Sequence, residues 1–200
     1  MPRREADKME FSADILGQRL VFSTREGLFS PAHVDRGTLA MLAVAEDALV
    51  PGARVMDLGC GYGVVGVLAA TRVGAQNVVM ADIDPVAVEC ARENAAKNGV
   101  PGVTVCLSDG FDQVDATGFD AILVNPPYQT DFRVARKFIL KGFNRLKIGG
   151  RMFMVTKRRE WYKNRLVAVF GGVRIREADG YCIFEAERRR EQYASSEKRS

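Results

Sequence analysis

The chain is poor in the residues that build metal centres and membrane spans. It has one histidine, one tryptophan and four cysteines, and none of the cysteines falls in a Cys-x-x-Cys pair. Zinc ligands normally come in close pairs, so this spacing argues against zinc, and we predict no metal site. Each cysteine lies in an apolar or glycine-rich context, which is typical of small buried thiols. No apolar run approaches the roughly 18 residues of a membrane span.

The first residues also lack the apolar stretch of a secretory signal, since residues 1–10 are mostly charged or polar. We therefore expect a cytoplasmic protein with no membrane partner. The composition itself is ordinary, with 47% hydrophobic and 27% charged residues, and excludes disorder as the default state. A chain of this length buries roughly 70% of its unfolded surface and needs no disulfide.

Charge is divided unevenly along the chain. The net charge is +4, but residues 1–132 carry −8 and residues 133–200 carry +12. A split of this kind suggests a polyanionic partner docked on one side. Solvated helix faces plus a basic tail would produce the same numbers, so charge alone leaves both interpretations open.

Short apolar runs alternate with helical patterns from residue 51 onward. Strands are predicted at 54–58, 78–81, 103–107, 119–124, 152–156, 173–177 and 181–186, and helices at 35–49, 63–72, 85–98, 131–146 and 160–170. A small hairpin is expected around residues 20–29, and residues 147–150 are predicted to be a turn. The pattern predicts an α/β fold, with a doubly wound, mostly parallel, seven-stranded sheet and an antiparallel C-terminal hairpin strand.

The domain boundaries follow from this order of elements. One Rossmann-like domain is expected over residues 1–187, with a hairpin and helix in 1–50 and the core in 51–187. The polar, basic residues 188–200 are expected to form a disordered tail.

A glycine-rich turn follows the first strand of this core. Gly61, Gly63 and Gly66 satisfy G-x-G-x-x-G, and Asp82 stands where a ribose-binding carboxylate is expected, as in dinucleotide-binding folds. Asp57, which we expect to be exposed at the strand end, would repel a pyrophosphate. S-adenosylmethionine has no phosphate, and a carboxylate attracts its sulfonium and ammonium groups. We therefore predict S-adenosylmethionine rather than a nicotinamide cofactor, with Asp82 on the ribose hydroxyls.

Two further segments fall at the same edge of the predicted sheet. Asp109 follows the third strand, where it can accept a hydrogen bond from an adenine amino group, although a turn aspartate would have the same pattern. Asn125-Pro126-Pro127-Tyr128 follows the fourth strand, and its two prolines fix consecutive φ angles. The Asn125 side-chain oxygen and the Pro126 carbonyl are expected to grip the two hydrogens of a planar amino group, while Tyr128 offers a face for base stacking. We predict these residues, with Pro127, to be the catalytic segment.

These segments resemble a known family. The loop at 57–63, Asp82 and the 125–128 motif look like those of class I S-adenosylmethionine-dependent methyltransferases that act on planar amino nitrogens. Residues 27–30 and 35–38 resemble the corresponding segments of the "methyltransferase small" group, which includes enzymes that methylate the 2-amino group of guanine in small-subunit ribosomal RNA. The resemblance covers residues 19–187. It implies contacts to the methionine moiety, the ribose and the adenine, and a supporting role for Thr38. The residues expected to bind the cofactor are Thr38, Asp57, Gly59, Cys60, Gly61, Asp82, Ile83, Asp109, Gly110 and Asn125.

A basic segment directly follows the fifth predicted core strand. Its cations are interleaved with aromatic side chains, a combination that suits a phosphate backbone and splayed bases. A solvated helix start with Trp161 packed inward is the alternative. The residues expected to contact the substrate are Phe29, Arg133, Lys157, Arg158, Arg159 and Trp161.

The predicted function is therefore S-adenosylmethionine-dependent methylation of an exocyclic amino group, with guanine in ribosomal RNA as the substrate. The Asn-Pro-Pro-Tyr motif also occurs in adenine methyltransferases and in glutamine methyltransferases of release factors. Adenine in RNA or DNA and protein glutamine consequently stay open as acceptors. A dehydrogenase and a nucleic-acid-binding module without catalysis are two further classes, and the intact motif argues against the second. The oligomeric state is not predicted.

Overall fold

The helices and strands follow the predicted α/β alternation. The structure is a computed structural model that describes residues 8–126 and 132–194. The strands are β1 (Lys8–Ile15), β2 (Gln18–Arg25), β3 (Val55–Leu58), β4 (Val78–Asp82), β5 (Thr104–Leu107), β6 (Phe119–Val124), β7 (Leu146–Thr156), β8 (Arg174–Ala178) and β9 (Tyr181–Glu187). The α-helices are α1 (Arg36–Ala45), α2 (Val64–Val73), α3 (Pro85–Lys97), α4 (Phe132–Arg145) and α5 (Arg159–Phe170), with short 3-10 turns at Glu46–Ala48 and Ala75–Asn77.

The main sheet has seven strands in the order β5-β4-β3-β6-β7-β9-β8. Neighbours from β5 to β7 pair in parallel, whereas β9 runs antiparallel to both β7 and β8. Helices α1, α2 and α3 pack on one face and α4 and α5 on the other. All four residues of β3 are buried, because both faces of the parallel sheet are covered. The predicted fold class is confirmed, and the strand order reverses between β3 and β6, where doubly wound folds bind ligands.

The N-terminal hairpin differs from the prediction. β1 and β2 pair around a turn at Leu16-Gly17. The predicted turn at residues 25–27 is present, with Leu28 N donating to Arg25 O at 3.2 Å, but residues 28–29 form no strand, so the hairpin predicted around residues 20–29 is wrong. Leu16 has a positive φ of 49°, a conformation that its residue type does not signal. The hairpin docks on α3 through Asn94, which accepts from Ser23 N at 2.7 Å and donates to Ser23 O at 2.8 Å. This side-chain amide therefore pairs with the backbone of β2 as a neighbouring strand would.

The predicted turn at residues 147–150 lies inside β7 as an irregularity. The register with β6 jumps from Phe119↔Leu146 to Ala121↔Arg151, so several residues of β7 oppose one of β6. An added Cβ at Gly150 would lie 2.6 Å from the Phe119 carbonyl oxygen, so the close approach of the two backbones requires glycine.

Part of the expected disordered tail is packed. Tyr193 stacks edge-on against Phe143 with ring centroids 5.0 Å apart, and Ala194 N donates to Val169 O at 2.9 Å. The prediction of disorder is thus wrong for residues 188–194, because an aromatic side chain in the polar tail finds an apolar surface on α4. Within the two described ranges, no helix is long and apolar enough to cross a membrane.

Candidate active site

A cavity of about 450 Å³ opens at the carboxyl edge of the sheet, where the strand order reverses. Its walls are the segments that follow β3, β4, β5 and β6, together with residues that precede and begin α1. The volume falls in the usual range for small-molecule sites, roughly 300–1,000 Å³. All the predicted cofactor residues line it: Thr38, Asp57, Gly59, Cys60, Gly61, Asp82, Ile83, Asp109, Gly110 and Asn125.

Backbone rather than side chains forms the cavity wall after β3. Gly59 and Gly61 have φ angles of 74° and 53°, which favour glycine. An added Cβ at either residue would meet nothing within 4 Å, so both present bare backbone to the cavity. Glycine is required at position 66 for a different reason, since an added Cβ there would lie 2.2 Å from the sulfur of Met80. The first two glycines thus make room for a ligand, and Gly66 allows α2 to pack closely on β4.

Asp57 is buried rather than exposed, which corrects the prediction. Only 3% of its surface is accessible, and its Oδ2 accepts a hydrogen bond from Gly66 N at 2.8 Å. Burial raises the pKa of its carboxyl to about 7; the Gly66 N–H partly offsets this, and the charge of Asp82 adds to it. The burial arises because Gly66 has no side chain to hold the start of α2 away. A cation bound in the cavity would favour the charged form of Asp57.

The other two acidic residues have polar partners of their own. Asp82 accepts from Gly61 N at 2.8 Å through one oxygen and from Asp84 N at 2.9 Å through the other. It therefore clamps the glycine loop, and its remaining lone pairs are available to hydroxyl groups. Asp109 is exposed and forms an ion pair at 2.8 Å with Lys137 on α4, a partner that the sequence did not suggest.

Asn125 is held firmly through one end of its amide. Its Nδ2 donates to Thr38 Oγ1 at 2.9 Å and to Asp35 Oδ2 at 3.1 Å. A carboxylate only accepts hydrogen bonds, so Nδ2 rather than Oδ1 must face Asp35. The Asn125 Oδ1 is buried and has no hydrogen-bond partner among the described residues. Leaving such an acceptor without a partner costs about 1–3 kcal/mol, which a hydrogen-bond donor bound in the cavity would recover.

Of the other residues of the predicted catalytic segment, Pro126 lines the same cavity. Pro127 and Tyr128 lie outside the described residues. The predicted stacking role of Tyr128 and the pairing of Asn125 with the Pro126 carbonyl stay predictions.

The sequence matches the model of the methyltransferase small domain over residues 19–185. The chain belongs to the methyltransferase small domain family. This membership confirms the predicted resemblance and the enzyme class, a methyltransferase that uses S-adenosylmethionine.

Individual relatives agree with this assignment. Protein YbxB of Bacillus subtilis, named as uncharacterized, is 30% identical over 192 residues, which cover 94% of this chain and 95% of YbxB. Ribosomal RNA small subunit methyltransferase C of Pseudomonas putida is 35% identical over 167 residues, which cover 81% of this chain and 49% of that protein. The Thermus thermophilus 16S rRNA N2 methyltransferase RsmC, solved with AdoMet and guanosine, has a TM-score of 0.86 at 28% identity and covers 94% of this chain and 52% of that one. The chain thus spans about half the length of these two named methyltransferases.

In this methyltransferase small domain, the predicted substrate residues divide into two groups. Phe29 lines the cavity and is 57% exposed, so it stands at the rim with its ring accessible. Arg133 lies on the first turn of α4, and residues 157–159 follow β7 and lead into α5. All four residues are exposed and lie outside the cavity lining. The structure therefore places the basic residues beside the cavity rather than in it.

The basic residues after β7 lie on aromatic rings. Lys157 Nζ is 4.9 Å from the centroid of Tyr181, and the Arg158 guanidinium is 5.2 Å from that of Phe132. Trp161 stacks on the same Phe132 at 4.3 Å and is half-buried. One face of Trp161 is thus engaged within the protein, which favours the inward-packed alternative for its ring.

Sequence reasoning missed Asp35 and Tyr181 as parts of this site. Asp35 lines the cavity and bonds Asn125, while the Tyr181 hydroxyl donates to the other Asp35 oxygen at 3.1 Å. Asp35 precedes a helix and caps it, accepting from Thr38 N at 2.9 Å, and that capping pattern is its only local signal. No local sequence pattern marks Tyr181 as a site residue, since it lies near Asp35 only because of the position of β9 in the sheet.

Proposed function

We propose that this chain transfers a methyl group from S-adenosylmethionine to the exocyclic amino group of guanine in ribosomal RNA. The observation that carries the proposal is the buried Oδ1 of Asn125, a residue that lines the cavity. This oxygen has no hydrogen-bond partner in the described part of the chain. An amino group donates the hydrogen bond that this oxygen lacks. A hydroxyl group that accepted the methyl group would have a single hydrogen to donate. An amino group has two, so it can donate to Asn125 Oδ1 and to a second oxygen.

The cavity fits the proposed cofactor. Bare backbone at Gly59 and Gly61 leaves space beside the buried Asp57 carboxyl, whose charged form a sulfonium or ammonium would favour. Asp82 and Asp109, at the ends of β4 and β5, would hold the ribose and the adenine. S-adenosylmethionine supplies an electrophilic methyl group when it is bound.

Catalysis by the chain's own residues consists mainly of positioning. Asn125 Oδ1 would accept a hydrogen from the amino group and so direct the nitrogen lone pair into the cavity. Because Nδ2 is already bonded to Thr38 and Asp35, the orientation of the Asn125 amide is fixed before the acceptor binds. Holding the two reactants in line accounts for much of the rate enhancement of a displacement reaction.

The choice of guanine in ribosomal RNA rests on relatives and on charge. The RsmC neighbour was solved with guanosine, and this chain resembles it along most of its own length. The excess of +12 in residues 133–200 and the exposed basic run at 157–159 favour a polyanion near the cavity. We propose that RNA docks over residues 133–165. Adenine in a nucleic acid and glutamine in a protein also present planar amino groups, and the acceptor assay decides between them.

The test is transfer of a labelled methyl group to ribosomal RNA, tRNA and protein fractions by wild type and by Asn125→Ala. We expect label in the ribosomal RNA, and a loss of about 10²–10³ in kcat for the variant, as for removal of one positioned catalytic hydrogen bond. Affinity for S-adenosylhomocysteine should stay close to that of wild type. Asn144→Ala is the matched control, because Asn144 bonds Tyr193 on the far side of α4. A variant of Asn125 that retained a tenth or more of the rate would contradict its role.

A further inference from the structure

Three distant parts of the chain meet behind Asn125. Asp35 precedes α1, Asn125 follows β6 and Tyr181 begins β9. Tyr181 Oη donates to Asp35 Oδ1 at 3.1 Å, and Asn125 Nδ2 donates to Asp35 Oδ2 at the same distance. The Asp35 carboxylate is therefore held from one side by the C-terminal hairpin and itself holds the catalytic segment on the other.

Thr38 fixes which groups donate and which accept in the hydrogen-bond network around Asp35. Its Oγ1 accepts from Asn125 Nδ2 at 2.9 Å and is 3.4 Å from Asp35 Oδ2, to which it can donate its single hydrogen. Its backbone N–H donates to the same oxygen at 2.9 Å. The hydrogen bonds thus run from Asn125, from Thr38 and from Tyr181 toward one carboxylate. Because that carboxylate has no hydrogen to donate, it specifies which end of the Asn125 amide faces it.

The Tyr181 ring is held independently of its hydroxyl. An added Cβ at Gly37 would lie 2.7 Å from two ring carbons of Tyr181, so the ring packs directly on the backbone of the first turn of α1. Lys157 lies 4.9 Å from the ring centroid. Removal of the hydroxyl would therefore leave the ring packed and would remove the hydrogen bond to Asp35 Oδ1.

We infer that Asp35 and Tyr181 are positioning residues, which hold the Asn125 amide with Oδ1 directed at the amino group to be methylated. This inference rests on the proposed function. A neutral amide at position 35 could either accept from Asn125 Nδ2 or donate to Oδ1, so both orientations of the Asn125 amide would become available. The carboxylate excludes the inverted orientation, in which Oδ1 would face the charge and Nδ2 the substrate.

The decisive variant is Asp35→Asn. It retains the size of the side chain and the helix cap, because asparagine is as good an N-cap as aspartate. We expect kcat to fall about 100-fold, as for the loss of one positioned catalytic group, with affinity for S-adenosylhomocysteine unchanged. Tyr181→Phe should lower kcat about tenfold, the lower end of the effect of a hydrogen bond to a charged group.

Two matched controls separate positioning from general damage. Asp120→Asn makes the same chemical change at a carboxylate that accepts from Arg54 N at 2.8 Å, at the opposite end of β6 from Asn125. Tyr193→Phe removes a hydroxyl that donates to Leu140 O at 3.3 Å. Both variants should keep wild-type kcat. Equal losses in the controls and in the Asp35 and Tyr181 variants would overturn the inference.

A readout without turnover tests the amide directly. In wild type the Asn125 side-chain NH₂ should exchange slowly with solvent by NMR, since Nδ2 has two acceptors, and Asn125→Ala identifies the signal. We expect exchange about tenfold faster in Asp35→Asn, which corresponds to about one hydrogen bond. Unchanged exchange would overturn the inference even if the variant were inactive. If wild type methylated no amino group, the proposed function would fail, while the exchange rates would still decide whether Asp35 orients Asn125.

Discussion

Replacement of Asn125 by aspartate tests the orientation of its amide through pH. Asn125→Asp preserves the size of the side chain but places an oxygen where Nδ2 lies, 3.1 Å from Asp35 Oδ2 and 2.9 Å from Thr38 Oγ1. Two unit charges at this separation repel by about 5 kcal/mol at an effective dielectric constant of about 20. Since one pKa unit corresponds to about 1.4 kcal/mol, the two facing carboxyls should share one proton up to about pH 8, and that proton should leave the pair with a pKa of about 8.

The protonated form of this variant resembles the native amide. Its O–H can donate to Asp35 as Nδ2 does, and its carbonyl oxygen can replace Oδ1. The deprotonated form repels Asp35 and loses that geometry. The protonated form is therefore the active one, and activity should increase as the pH falls through about 8.

The assay is kcat at saturating cofactor and RNA between about pH 6 and pH 9, expressed as the ratio of variant to wild type. The ratio removes titrations that change kcat equally in the variant and in wild type. We expect the ratio for Asn125→Asp to rise toward low pH and that for Asn125→Ala to stay low throughout. A ratio that is constant or that rises with pH would refute the orientation of the amide.

Two other predictions concern the buried carboxyl and the basic run. Because the pKa of Asp57 is raised to about 7, the native state keeps a proton that the unfolded chain loses above about pH 4, so the stability of the ligand-free protein should fall as pH rises from about 4 to 7. Urea unfolding at pH 5 and pH 8 measures this fall, which should be smaller in Asp57→Asn; an equal fall in both proteins would contradict the burial. Removal of Lys157 and Arg159 together by alanine should weaken RNA binding across sequences and flatten its salt dependence. Arg189 and Arg190, which follow the end of β9 at the opposite edge of the sheet, are the matched pair, and equal effects of the two double variants would argue against docking near the cavity.

Local sequence signals were sufficient for the parallel core. Asp84-Pro85 shows how, because the side chain of Asp84 accepts from Val86 N at 2.8 Å and Pro85 occupies the first turn, as the residue types predict. The glycine loop and Asn125 were also predictable, because each follows a short apolar run that is typical of a buried strand. Their shared position at one edge follows from the parallel order of the strands.

Features that depend on contacts between distant segments were not predictable in the same way. Whether Asp57 is exposed depends on how closely α2 approaches β3, which Gly66 decides through its missing side chain. The hydrogen bond from Tyr181 to Asp35 joins the start of β9 to the residue before α1, and no sequence periodicity predicts contact between these two segments. The turn at Leu16 was missed because a leucine with positive φ has no signature in the sequence.

The acceptor nucleoside is the most direct test of the proposed function. Ribosomal RNA methylated by the wild-type protein with labelled S-adenosylmethionine can be digested to nucleosides and separated by chromatography with mass detection. The proposal predicts label in N2-methylguanosine, at a rate about 10²–10³ lower when Asn125→Ala replaces wild type. Label in N6-methyladenosine, or in glutamine of the protein fraction, would contradict guanine as the substrate.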